Sequence, residues 1–137
     1  MRDNILSGLE YDETLYQKVI NACGLVADIT QLPQGDMTKL GNQGNQISGG
    51  QAQRVSLARA AYSRQPLILL DDCFSGLDSK TESLVFSRLL GSQGLLKRLG
   101  CTIVLATHAV RYVYEADELL ILGQRGTQSN PTEISNF

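Results

Sequence analysis

Residues 66–72 read Pro66-Leu67-Ile68-Leu69-Leu70-Asp71-Asp72, a short apolar run that ends in two carboxylates. A continuous apolar stretch of this length predicts a strand that is buried on both faces, as in a parallel sheet. Ligands of open α/β sheets bind beyond the carboxyl ends of the strands. The two acids are therefore candidates to hold Mg²⁺ and to orient or deprotonate a water molecule. Two solvated acids at a strand end are the alternative interpretation.

A second apolar run, Thr102-Ile103-Val104-Leu105-Ala106, predicts another strand, and residues 118–122 predict a third. His108, the single histidine of the chain, lies just beyond the second run. It is a candidate functional residue, although a polar residue satisfied at a strand end is the alternative. Helical patterns separate the strands, so the predicted fold class is α/β, with a parallel sheet flanked by helices.

The start of a long helix is predicted at Ile47-Ser48-Gly49-Gly50-Gln51-Ala52-Gln53-Arg54. A hydroxyl group and bare backbone N–H groups converge there at the positive end of the helix, which suits a multiply charged anion. A glycine pair in an ordinary turn is the alternative. The same helix carries a stripe of side chains that we expect to face the core, namely Val55, Ala58, Ala61 and Tyr62.

Two further helices have readable boundaries. Asp12 is a plausible N-cap for a helix that Gly24 ends. The turn Ser75-Gly76-Leu77-Asp78 precedes a helix from Lys80 to Leu90, and Ser79 with Glu82 forms a capping-box pattern at its start.

Composition fits one soluble domain or part of one. The chain has 137 residues and a net charge of −2, so it has no basic footprint for nucleic acid. No apolar stretch approaches the roughly 18 residues that a membrane span needs, and we expect no membrane insertion by this chain. The cysteines show no C-x-x-C spacing and are interpreted as reduced, mostly buried thiols, at Cys23, Cys73 and Cys101.

The order of these motifs resembles the ATP-binding-cassette (ABC) ATPases: a serine-glycine-glycine-glutamine signature, a strand that ends in acids, a serine-x-leucine-aspartate loop and a strand followed by histidine. More closely, three stretches resemble the first nucleotide-binding domain of C-subfamily transporters, the multidrug-resistance-associated proteins. These are residues 2–8, 41–59 and 69–78. The run that begins at Thr107-His108 has a fungal character within that group. The resemblance extends from Arg2 to about Gly123.

The resemblance implies ATP and Mg²⁺ as cofactors and assigns roles to individual positions. The signature segment, residues 48–51, would meet a nucleotide held by the opposite domain. Ser48, Gly49 and Gly50 would touch its γ-phosphate, and Gln51 would orient the loop. Asp78 would cross the domain interface, and His108 would contact the γ-phosphate.

Two carboxylates complete the site that the resemblance implies. Asp71 would hold Mg²⁺ through water. Asp72 occupies the place where most of the family has a glutamate as the general base. Because aspartate is one methylene shorter, its carboxylate would stop about 1.5 Å short of a water placed for glutamate. The resemblance therefore implies a site that binds ATP but turns it over poorly.

The chain also departs from the family pattern. A phosphate loop of the form G-x-x-x-x-G-K-[ST] needs a lysine directly after a glycine, and none of the lysines qualifies, since Gln17, Thr38, Ser79 and Leu96 precede them. The stretch 38–44 lacks the two acids that the family often has before the signature, which leaves coupling to the membrane domains in doubt. The end of the chain departs as well, since residues 126–131 replace the family's closing strand.

We therefore expect a partial P-loop NTPase fold whose phosphate-loop half is missing. Residues 1–123 would be the C-terminal part of a nucleotide-binding domain, with the helical subdomain and signature helix in 1–64 and the acid strand and switch histidine in 65–123. Residues 124–137 would be a disordered tail.

The expected function is ATP-driven export across a membrane. The expected partners are a second nucleotide-binding domain and the transmembrane domains of a transporter, on the cytoplasmic face of the membrane. Alone, the chain would be cytoplasmic and inactive. The alternative is a non-catalytic decoy that binds a full-length cassette partner. A DNA-repair or chromosome-organising ATPase is disfavoured by the balanced charge and by the absence of long heptad runs.

Overall fold

The computed structural model describes residues 1–41 and 47–121. The chain divides into two units, Met1–Ala106 and Thr107–Phe137. The first unit contains six α-helices in its described residues: α1 (Arg2–Leu6), α2 (Glu13–Ala22), α3 (Val26–Gln31), α4 (Gly49–Tyr62), α5 (Ser79–Val85) and α6 (Leu95–Arg98). It also contains the strands β1 (Leu67–Asp71) and β2 (Thr102–Ala106). A 3₁₀ turn spans Gly35–Met37, and a π-helical turn, Phe86–Leu90, continues α5.

The two strands pair in parallel, in a register that runs from Leu67 opposite Thr102 to Asp71 opposite Ala106. This confirms the predicted mixed α/β fold with a parallel sheet. The prediction that the first strand is buried on both faces is wrong. Ile68 and Leu70 are buried, but Leu69 is 70% exposed. Successive side chains alternate across a strand, and packing covers only one face of this sheet in the described part of the first unit.

The core of the first unit forms where α4 packs against α1 and α2. The ring of Tyr16 meets that of Tyr62 edge-on, with centroids 6.3 Å apart. The Tyr62 hydroxyl accepts a hydrogen bond from the Asp12 backbone N–H and donates one to the Glu10 carbonyl, both at 2.7 Å. The predicted core stripe of α4 is confirmed, since Val55, Ala58, Ala61 and Tyr62 are all buried.

The local end signals of α2 are confirmed. The Asp12 carboxylate accepts a hydrogen bond from the Leu15 backbone N–H at 3.0 Å, which satisfies one of the unpaired donors of the first turn. This bond, with the charge of Arg64 as a further contribution, lowers the pKa of Asp12. Past the other end of the helix, Gly24 takes a φ of 64°, the left-handed conformation that glycine adopts without strain.

Two of the cysteines are buried as expected. Burial raises the pKa of the Cys23 thiol to about 12 and that of the Cys73 thiol to about 11. Both therefore stay protonated at neutral pH and behave as small apolar side chains. Cys101 is partly exposed.

In the second unit, the described residues 107–121 contain a 3₁₀ helix, Val110–Glu115, with Tyr112 buried. The predicted third strand over 118–122 is wrong for residues 118–121, where Leu119 is a single bridge residue and no strand forms. An apolar run becomes a strand only where a partner completes its ladder of hydrogen bonds. Leu122 and the predicted tail, 124–137, lie outside the described residues. No helix in the ranges that the structure describes is long and apolar enough to cross a bilayer.

Candidate functional site

The signature segment caps helix α4 at its N-terminus. Ser48 has extended backbone angles, and its Oγ accepts a hydrogen bond from the Gln51 backbone N–H at 3.2 Å. The Gln51 side chain makes the reciprocal hydrogen bond, since its Oε1 accepts from the Ser48 backbone N–H at 2.8 Å. This reciprocal capping box fixes the start of the helix where the sequence predicted it. Ser48 and Gly49 are exposed, so the positive end of the helix faces solvent.

The two glycines of the segment have different surroundings. A Cβ placed on Gly49 would meet nothing within 4 Å. A Cβ on Gly50 would lie 3.1 Å from the Gly76 carbonyl oxygen and 3.4 Å from Leu77 Cδ2. Gly50 therefore lets α4 approach the turn that contains Gly76, while Gly49 leaves the front of the helix open.

We expect Gly50→Val to lower the free energy of unfolding by about 1–3 kcal/mol, because the added methyl groups overpack this contact. The matched change Gly49→Val should stay within about 0.5 kcal/mol of the wild type, since open space surrounds that position and the two residues differ little in helix propensity. Urea unfolding of both variants measures the difference. Equal losses at the two positions would contradict the close approach.

The acid pair lies at the carboxyl end of β1, as predicted. Asp71 is the last residue of the strand, and Asp72 follows it in a left-handed conformation with a φ of 42°. The Asp72 backbone N–H donates to the Ala106 carbonyl at 3.0 Å, which extends the sheet pairing by one bond. Both acids are exposed, and the Ser75 Oγ donates to the Asp72 carbonyl oxygen at 2.9 Å. The backbone therefore holds both carboxylates at the sheet edge.

Asp78, and not Ser79, is the N-cap of α5, which corrects the capping box predicted for Ser79 and Glu82. The Asp78 Oδ1 accepts from the backbone N–H groups of Lys80 and Thr81 at 3.1 and 3.0 Å. Hydrogen bonds from Thr81, through its side chain and its backbone, lower the pKa of Asp78. A carboxylate at this position satisfies two donors and complements the helix dipole, which a serine hydroxyl does less well. Asp78 is exposed.

His108 belongs to the second unit, where it is exposed. Next to it, the Thr107 hydroxyl oxygen accepts a hydrogen bond from the Ala109 backbone N–H at 3.1 Å. This short turn leads into the 3₁₀ helix. The histidine therefore follows β2 in sequence, as predicted, and its proposed contact with phosphate stays a prediction.

The donor set suits a nucleotide with Mg²⁺ only if other groups complete the coordination shell. Within residues 1–41 and 47–121, no cluster of three or more His, Cys, Asp or Glu side chains is arranged to hold a metal ion. Asp71 would supply one carboxylate, acting through water, and Mg²⁺ commonly uses one or two carboxylates, with water and phosphate oxygens for the rest. The exposed helix start at Gly49 suits an anion. These residues therefore fit a bound nucleotide for which other groups supply most of the contacts.

Sequence reasoning missed the contacts that hold the signature helix in place. Arg54 in α4 forms an ion pair with Asp28 in α3 at 2.6 Å and donates to the Gly24 carbonyl at 2.6 Å. The Gln53 side-chain nitrogen donates to the Cys73 carbonyl at 2.9 Å, which links α4 to the segment after β1. No local pattern signals these pairs, because their partners lie 20 or more positions apart.

The chain is similar in sequence to known proteins of one family. The sequence profile of the ABC transporter family matches residues 4–75, which is more than half of the chain. The chain belongs to this family, and the predicted resemblance is confirmed at that level.

Curated relatives include three transporters. ABC transporter gloK of Glarea lozoyensis is 48% identical over 137 residues, which cover 100% of this chain. ABC multidrug transporter B of Aspergillus fumigatus is 43% identical over 94% of the chain, and ATP-binding cassette sub-family C member 2 of Mus musculus is 44% identical over 90%. The chain spans only 8–10% of the length of these relatives.

Proposed function

We propose that this chain forms part of the first nucleotide-binding domain of a C-subfamily ABC transporter, in which the signature segment closes over ATP held by a second nucleotide-binding domain. The capped, exposed start of α4 carries this proposal. Gln51 and Ser48 satisfy each other there, and the first-turn N–H groups of Gly49 and Gly50 have no intrahelical acceptors. The C-subfamily assignment is supported by motif order and by the similarity to the mouse sub-family C transporter.

The cap leaves Ser48 able to donate. Its Oγ accepts from the Gln51 N–H, and a hydroxyl group that accepts one hydrogen bond still carries its own proton. Ser48 Oγ and the N–H groups of Gly49 and Gly50 would therefore all donate to one γ-phosphate. Charge-assisted hydrogen bonds of this kind are about twice as strong as neutral ones.

The other residues that the resemblance names would each act on bound nucleotide. ATP with Mg²⁺ supplies the phosphoanhydride bond whose hydrolysis drives transport. Asp71 would hold the cation through water, Asp72 would accept a proton from the attacking water, and His108 would donate to the γ-phosphate. Asp78, which is exposed at the start of α5, would reach the partner domain. Through the membrane domains of the whole protein, closure would drive export at the cytoplasmic face of a membrane.

A chimera tests the proposal. This chain replaces the aligned segment of gloK, and ATP hydrolysis by the purified transporter is measured in lipid vesicles. We expect the chimera to hydrolyse ATP and Ser48→Arg to abolish the activity, because the long cation fills the space in front of α4. Ser83→Arg is the matched control, an exposed serine on α5, and should leave the rate unchanged.

The purified chain alone should not hydrolyse ATP, because it carries no lysine-bearing phosphate loop. An inactive but folded chimera, or one that tolerates Ser48→Arg, would contradict the proposal. If the lone chain instead bound intact gloK and inhibited it while the chimera was inactive, the decoy alternative would replace the transporter role.

A further inference from the structure

Asp28 lies behind the signature segment and contacts two residues of α4. Its Oδ1 accepts from the Gln51 side-chain nitrogen at 2.8 Å, and its Oδ2 accepts from Arg54 Nη1 at 2.6 Å. Arg54 Nη2 reaches Oδ1 at 3.3 Å, so the arginine engages both oxygens. The Asp28 side chain is only 16% exposed. The carboxylate therefore lies between helices α3 and α4 as a shared acceptor.

This contact decides which way the Gln51 carboxamide faces. An ionised carboxylate can only accept, so it selects the NH₂ end of the glutamine. The carbonyl end, Oε1, is then turned to the Ser48 backbone N–H, which it meets at 2.8 Å. The reciprocal half of the capping box thus depends on Asp28, although Asp28 precedes Ser48 by 20 positions.

We propose that Asp28 is a positioning residue for the signature segment: through the Gln51 carboxamide it holds Ser48 in the conformation in which the serine meets a nucleotide phosphate. The contact between Ser48 and a phosphate rests on the proposed function, whereas the orientation of Gln51 by Asp28 rests only on the hydrogen bonds. Arg54 also holds this carboxylate in place, because it donates to both Asp28 oxygens. Arg54 is itself held by a hydrogen bond that it donates to the Gly24 carbonyl.

Asp28→Asn should break the chain of bonds. The new carboxamide keeps the shape but has one acceptor oxygen, which the charged Arg54 takes, so its NH₂ group opposes the NH₂ group of Gln51. If the Gln51 carboxamide rotates to accept from that NH₂ group, its own NH₂ group then faces the Ser48 N–H. Gln51→Glu should break the contact with Asp28 for a different reason. The introduced carboxylate would lie within hydrogen-bond distance of the Asp28 carboxylate, and the two like charges repel each other.

Combining the two changes should restore the bonds. In Asp28→Asn with Gln51→Glu, the introduced asparagine NH₂ donates to one oxygen of the introduced glutamate, and the other oxygen accepts from the Ser48 N–H. The matched control is Asp36→Asn, which removes a carboxylate from its two-bond ion pair with Arg2, a contact that does not involve α4.

The first measurement uses the full chain without nucleotide. Amide hydrogen exchange at Ser48, followed by NMR, should be about 5–10-fold faster in each single variant, the equivalent of one lost hydrogen bond. It should return close to the wild-type rate in the double variant and stay unchanged in Asp36→Asn. A uniform loss of stability would accelerate exchange throughout α4, and the double variant would not reverse it. An unchanged Ser48 rate in Asp28→Asn, or a double variant no better than the singles, would overturn the inference.

The second measurement uses the gloK chimera. We expect each single variant to reduce the rate of ATP hydrolysis about tenfold and the double variant to recover it. If Ser48 exchange responds as expected but hydrolysis does not, Asp28 does not position the nucleotide contact and the proposal is wrong. If Ser48→Arg leaves the chimera active, the proposed function fails, and the exchange data still decide whether Asp28 orients Gln51.

Discussion

Replacing Arg54 by leucine is expected to lower the free energy of unfolding by about 2–4 kcal/mol, because it leaves the charge of the partly buried Asp28 without its partner. The Arg54 side chain is 12% exposed and that of Asp28 is 16% exposed, so water can replace only part of the lost bonds. The Gly24 carbonyl loses its donor in the same variant. Denaturant unfolding of the full chain measures the loss.

The chain contains a matched control for this experiment. Arg64 pairs with Asp12 at 2.7 Å, but their side chains are 56% and 43% exposed. Arg64→Leu should therefore change the free energy of unfolding by less than about 1 kcal/mol. Replacing both Arg54 and Asp28 by leucine should recover most of the loss, because no charge is then left unpaired. Similar losses in Arg54→Leu and Arg64→Leu would refute the role of burial.

Replacing Asp72 by glutamate in the gloK chimera is expected to raise the rate of ATP hydrolysis at the site that contains Asp72 by on the order of 100-fold, because a displacement of about 1 Å can cost that factor. The position of the backbone is fixed here, because the Asp72 N–H donates a hydrogen bond to the Ala106 carbonyl. A longer side chain therefore moves the carboxylate rather than the main chain. The left-handed φ of 42° favours aspartate, and glutamate would lose about 1 kcal/mol there, which is less than the gain.

Asp72→Asn is the control for this prediction. It keeps the size of the side chain and its preference for the left-handed conformation but removes the base, so no increase is expected. The difference in hydrolysis rate between the two variants measures the effect of the carboxylate alone, because hydrolysis elsewhere in the transporter contributes equally to both. A glutamate variant no faster than the asparagine variant would show that reach is not what limits this site.

Signals that act within a few residues were readable from the sequence. Ser48 caps α4 and Asp12 caps α2 because capping needs only a side-chain acceptor and the N–H groups of the next turn. The choice between Asp78 and Ser79 failed because adjacent residues can both cap, and the stronger acceptor prevails. Parallel pairing of the strands was also predictable from two apolar runs separated by helices.

Properties that depend on distant partners could not be read in this way. Burial of Leu69 depends on what packs over the strand, and the strand itself does not encode that. The link between Asp28 and Gln51 joins two helices through residues 23 positions apart, so neither residue looks unusual in its own segment. For the candidate site, the sequence therefore named the residues that would face a ligand and missed the one that holds them.

The exposed face of the sheet affects how this chain can be handled. Leu67, Leu69 and Val104 are each more than half exposed, and they alternate with less exposed neighbours along the two strands. Dyes such as ANS, whose fluorescence normally signals a loosened interior, should adsorb to this native surface. Their signal would then be high before any denaturant is added, so dye fluorescence is a poor gauge of unfolding for this polypeptide and circular dichroism is the better choice.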